Sequence, residues 1–155
     1  MIRILSVSAL ALGLIACASA PAAGKATQIL GKWNCATAAD GMAVAGVFDY
    51  LADGTVKGDA KLDSEVQGTK VSLTGDIVAT WEFLEDGMLK ETITALTVRS
   101  AVMGGQVAPP AVIPTMIQPM INESVVNQSS TSTVAFTADA FTSTDEEGVV
   151  TTCTR

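Results

Sequence analysis

Residues 70–83 read Lys70-Val71-Ser72-Leu73-Thr74-Gly75-Asp76-Ile77-Val78-Ala79-Thr80-Trp81-Glu82-Phe83. Val71, Leu73, Gly75, Ile77, Ala79, Trp81 and Phe83 alternate with Lys70, Ser72, Thr74, Asp76, Val78, Thr80 and Glu82. Successive side chains of a strand point to opposite faces, so a period of two puts the apolar and small residues on one face of a half-buried antiparallel strand. A helix would scatter the same residues around its whole surface. Just upstream, 55–63 repeats the pattern, with Val56, Gly58, Ala60 and Leu62 on one face and Thr55, Lys57, Asp59, Lys61 and Asp63 on the other.

Turn signals separate such stretches. Asp53-Gly54 and Asp86-Gly87 are hairpin turns in which glycine supplies the positive φ; Glu147-Gly148, Ala138-Asp139 and, more weakly, Gln67-Gly68 mark others. The strands predicted in this way are 32–37, 43–51, 55–63, 70–83, 88–99, 131–137, 140–144 and 148–154. Within 88–99 the alternation slips between Ala95 and Leu96, which predicts a bulge or bend. Residues 100–129 break the pattern with Gly104-Gly105 and four of the five prolines. Pro114, after Ile113, can open a short helix whose apolar stripe is Met116, Ile117, Met120, Ile121 and Val125; Pro119 suits it only near the first turn. This segment is a helical or irregular insertion in one all-β domain.

The composition suits such a domain. At 155 residues the chain has one-domain length, and with 48% hydrophobic and 16% charged residues it has enough apolar material for a core. A net charge of −7 repels phosphate backbones and anionic lipid heads, which argues against nucleic acid or a membrane surface as partners. The chain has no histidine, the commonest general base and metal ligand.

Residues 1–17 have the pattern of an export signal: Arg3 is the positive start, and an apolar run follows that is too short to span a bilayer. Leu14-Ile15-Ala16-Cys17 resembles the bacterial lipobox, which implies lipidation of Cys17 and a periplasmic or outer-membrane anchored protein, the lipid being the only tie to a membrane. Ordinary cleavage after Ala20 or Ala22, giving a soluble secreted form, is the other reading. Residues 18–30 are then a short flexible tether, and 31–155 the folded domain with its insertion at 100–129. Once Cys17 is set aside, Cys35 and Cys153 remain as an even pair in an oxidising compartment, which predicts a disulfide.

Consecutive hairpins make a meander, and about eight strands can close into a barrel without edges. Cys35 lies in the first strand and Cys153 in the last, so their bridge would hold the closing seam. Gly31-Lys32-Trp33 resembles the G-x-W signature of lipocalin-like barrels. With the final Cys153-Thr154-Arg155, the chain resembles small bacterial lipocalin-like envelope proteins. The resemblance implies a barrel in which Trp33 plugs one end and Arg155 packs over it, and it implies ligand binding as the family habit.

No catalytic constellation stands out. Without histidine there is no Ser-His or Cys-His pair. Asp59, Asp76 and Glu82 point outward by the alternation, and Asp49 lies opposite in face to Phe48 and Tyr50. Asp145-Glu146-Glu147 reads as a solvated turn rather than a calcium loop. Met116 and Met120 read as packing rather than a copper site, and Asn122 and Asn127 match the glycosylation pattern by coincidence. The chain is therefore read as non-catalytic, without cofactor or metal. Two functions stay open. Gly58, Ala60, Gly75 and Ala79 face inward and can leave room for a small apolar molecule lined by Phe48, Trp81 and Phe83. They can equally let the strands coil around a filled core, which would make the domain a structural or protein-interaction module of the envelope.

Overall fold

A computed structural model describes residues 21–39 and 41–155 of the chain, with side chains from residue 24 onward. The segment expected to be an export signal, with Cys17, lies outside the described residues. A short helix, α1 (Pro21–Ile29), leads into β1 (Gly31–Ala39). β2 (Met42–Tyr50), β3 (Thr55–Val66), β4 (Thr69–Phe83) and β5 (Leu89–Met103) follow as an antiparallel meander. β6 (Gln106–Val107) is a two-residue partner for the end of β5. A π-helical turn (Ile113–Ile117) runs into α2 (Gln118–Val125), and β7 (Ser129–Phe136), β8 (Ala140–Asp145) and β9 (Val150–Thr154) complete the chain. β9 pairs with β1 and β7 with β5, so eight strands close in a ring with β6 as an appendage.

The seam lies where the two cysteines are. Cys35 and Cys153 are direct partners in the β1–β9 ladder and form a disulfide, with Cα atoms 4.0 Å apart. The turns form where aspartate chemistry favours them. Asp53 Oδ1 accepts the Thr55 N–H at 2.9 Å, and Asp86 Oδ1 accepts the Met88 N–H at 3.0 Å, each an Asx turn that fixes the hairpin.

One end of the barrel is closed. Ile29, Trp33, Leu89, Val134 and Phe141 are buried there, with the Trp33 and Phe141 rings edge to face at 4.8 Å. Burying each large apolar side chain of this group is worth about 1.5–3 kcal/mol. The helix α1 seals this end, so the part of the expected tether from Pro21 to Ile29 is helical instead. Its last carbonyls have no partner within the helix. Trp33 Nε1 donates to Ile29 O at 2.6 Å, and Arg155 Nη2 donates to Gln28 O at 3.1 Å and Leu30 O at 2.7 Å. Gly31 then turns the chain from helix to strand at φ +105°, a value that side-chain-bearing residues rarely adopt.

β5 departs furthest from expectation. It runs to Met103 rather than 99, so the insertion spans 104–128 rather than 100–129. Two register shifts against β4 leave Thr94 and Arg99 as extra residues. The inward set is therefore Leu89, Glu91 and Ile93, then Leu96 and Val98, then Ala101. Two phase changes hide the strand's continuation from a search for simple alternation. The expected slip is present, one residue earlier than predicted.

β5 meets β7 only through Leu89–Thr92 and Ser129–Ser132. Above that, the insertion covers its edge. Val98 N–H donates to Gln118 Oε1 at 2.8 Å, and Gln118 Nε2 donates to Leu96 O at 2.6 Å. One side-chain amide thus takes the place of a ladder partner. Pro119 cannot donate a backbone hydrogen bond, and the wider π turn before it, with Gln118 N–H on Ile113 O, lets the helix run on. The expected stripe is narrower than predicted. Ile117 is buried and Ile121 and Val125 are partly buried, whereas Met116 and Met120 are 68% and 58% exposed.

Candidate functional site

The inward small residues divide between two roles. A Cβ on Gly58 would lie 2.4 Å from the Phe48 ring, so that ring occupies the space the missing side chain leaves. A Cβ on Gly75 would lie 2.5 Å from Thr97 O, so here the missing side chain lets β4 and β5 approach beside a bulge. Ala60 and Ala79, by contrast, border open volume.

That volume forms two cavities inside the ring. The larger, about 340 Å3, lies next to the disulfide. Val44, Phe48, Val56, Ile77, Ala79 and Ile93 make an apolar wall, and Thr37, Ser130, Ser143 and Thr151 bring hydroxyls from the strands across. The smaller, about 260 Å3, is almost wholly apolar and is bordered by Ala60, Leu62, Leu73 and the helix residues Ile121 and Val125. Val44, Ile77 and Ile93 border both, so the two volumes adjoin at these side chains.

A carboxylate faces the larger cavity. Glu91 follows Leu89 by two on the inward face of β5, with Trp81 and Ser130 as its cross-strand partners. Tyr50 Oη donates to Glu91 Oε1 at 2.8 Å. Tyr50 is the one hydrogen-bond partner of this carboxylate among the described residues, and Oε2 is accessible from the cavity rather than sealed off. Burial raises the Glu91 carboxyl above its ordinary value of 4.5, and the Tyr50 hydrogen bond offsets this only in part. Tyr50 is pushed well above 10.0 by burial first and then by the carboxylate beside it. Sequence reading missed Glu91. The signal was its parity with Leu89 and Ile93, which places it on the core side of the strand.

Of the aromatic residues expected around an internal volume, Phe48 borders the larger cavity, whereas Trp81 and Phe83 do not. Trp81 donates its Nε1 to Leu51 O at 3.0 Å and stands edge to face with Tyr50 and Phe83 at 6.1 and 6.2 Å, within the closed end. Trp33 lies under Arg155, whose guanidinium carbon is 4.0 Å from the ring centre. On the outer face, Asp59 and Asp76 are register partners, and Arg99 pairs with Asp59 and, at 3.6 Å, with Asp76. Asp145 Oδ1 accepts the N–H groups of Glu147 and Val149 at 3.0 and 2.8 Å, which accounts for that acidic turn. Among the described residues no three Cys, Asp or Glu side chains converge in a way that would hold a metal ion. No protein-family model matches the chain, and no curated protein is significantly similar to it.

Proposed function

We propose that this is an exported, non-catalytic binding domain of lipocalin-like type, anchored by lipid on Cys17, that holds a small and largely apolar molecule inside its barrel. The interior volume carries this reading. The ring of strands borders partly open cavities of about 340 and 260 Å3 with apolar walls, and ligand sites are concave, mostly apolar and largely preformed. Gly31-Lys32-Trp33, with Arg155 over the indole, adds the likeness to lipocalin barrels. The disulfide suits an oxidising compartment. Native mass spectrometry of protein taken from its own host is the direct test. A small molecule released on denaturation is the expected result; an empty protein after mild extraction counts against it. The intact mass of the mature form tests the anchor, since an unmodified N-terminus at or beyond Pro21 rules out lipid on Cys17. The exposed Met116 and Met120, one turn apart on the insertion, favour a second reading, a protein-interaction module of the envelope. An empty barrel that captures an envelope protein through this helix would support it.

A further inference from the structure

The Glu91 carboxylate has one partner, a neutral phenol, and its second oxygen opens on the cavity. Among the described residues no Lys or Arg borders that cavity, and Glu91 belongs to no ion pair. Tyr50 on β2 is the only other titratable group among the described residues that borders it. β1, β7, β8 and β9 contribute hydroxyls, and the β4 side chains are apolar. The barrel therefore presents a carboxylate with no cation of its own, hydrogen-bond acceptors beside it, and an apolar wall opposite.

Resting on the binding reading above, we propose that the ligand is a small amphiphilic amine whose ammonium group docks on Glu91. The ammonium has three donors. One meets Glu91 Oε2 in a charge-assisted hydrogen bond, and the hydroxyls of Ser130 and Ser143, on the same cavity, can accept the others. The apolar body lies against Val56, Ile77 and Ile93. Low surrounding polarity strengthens this contact and makes an unpaired carboxylate costly, so the cation relieves the site as it fills it. The raised carboxyl of the empty barrel adds a linkage: where Glu91 is protonated, its proton leaves to solvent as the ammonium enters, and one cation is exchanged for one proton.

The test compares hexylamine, hexanol and hexanoate by calorimetric titration of the disulfide-bonded protein at pH 7. Hexylamine is expected to bind at least about tenfold more tightly than the other two. Glu91→Gln should abolish that preference, so that hexylamine binds no more tightly than hexanol to the same variant. Wild-type protein titrated with hexylamine at successively lower pH gives a readout independent of any variant, because a proton on Glu91 competes with the ammonium and should weaken binding as the pH falls. Equal binding of amine and alcohol, preference for hexanoate, or a preference that survives Glu91→Gln overturns the amine assignment and leaves the apolar-binding reading intact. Failure of all three probes to bind overturns both.

Discussion

Arg155 and Trp33, from the last residue of the chain and its first strand, meet with the guanidinium 4.0 Å above the indole, and both then donate to carbonyls at the end of α1. The cation thus stands at the negative end of a helix as well as over a ring face. Arg155→Ala should lower stability by about 1–2 kcal/mol, from the cation–π contact and the freed carbonyls. Arg155→Lys should fall between, since it keeps the charge and loses the fork. Urea unfolding followed by tryptophan fluorescence in a Trp81→Phe background reads the loss at Trp33. An unchanged midpoint in Arg155→Ala would mean that this end is held by apolar packing alone.

The disulfide joins residues 118 apart in sequence and sits in the ladder that closes the ring. In the chain-entropy model such a loop contributes about 4–5 kcal/mol by restricting the unfolded chain. Reduction, or the pair Cys35→Ala and Cys153→Ala, should shift the urea midpoint strongly downward. A shift worth under about 1 kcal/mol would show that strand pairing alone secures the seam.

Glu91 sets the pH response. Its folded-state carboxyl is raised by burial, so between 4.5 and that raised value the folded state binds more protons than the unfolded state. Stability therefore falls as pH rises through this window. Asp63, lowered by hydrogen bonds from Lys61 and Ser72, works in the opposite sense and below 3.8, so the windows do not overlap. Glu91→Gln should flatten the curve above pH 4.5. A wild-type stability that is level from pH 4.5 to 8, or a Gln variant with the same slope, would contradict the burial of this carboxylate.

Gly58 and Phe48 are fitted to each other. Gly58→Ala pushes a methyl into the ring and should cost about 1–3 kcal/mol, as overpacking does. Phe48→Leu should restore part of that loss in the double variant, giving a favourable coupling energy in the cycle. Strict additivity would show that the strain is absorbed elsewhere.

The sheet was legible in the sequence wherever one face is buried and no residue is extra. β3 and β4 keep a clean period of two, and the aspartate turns between strands name themselves. β5 was legible only to its second bulge, because each extra residue exchanges the inner and outer sets. The helix at 21–29 was hidden by its composition: a run of small residues has no apolar stripe, and its partners Trp33 and Arg155 come from distant positions. The cavity wall was half legible. Phe48 was named, but Trp81 and Phe83 share its inward face at a different height in the barrel, and alternation gives side and not height. Glu91 sat in plain phase with Leu89 and Ile93, and a charge at a core position was the sign to follow.

The covered edge of β5 has a consequence for how molecules of this protein meet one another. Closure protects a barrel from sticking, because no strand is left with unpaired backbone groups. Here the protection is borrowed: from Leu96 to Val98 the edge is occupied by the Gln118 amide and screened by its helix. A segment that loosened from that edge would expose a short template ready to take a strand from a second copy. Backbone bonds on either side, at Ile93 with Asn127 and Gln128 and at Ala101 with Ala108, hold the rest of that edge, so the Gln118 amide fills the one gap in a cover that the insertion otherwise makes with its backbone.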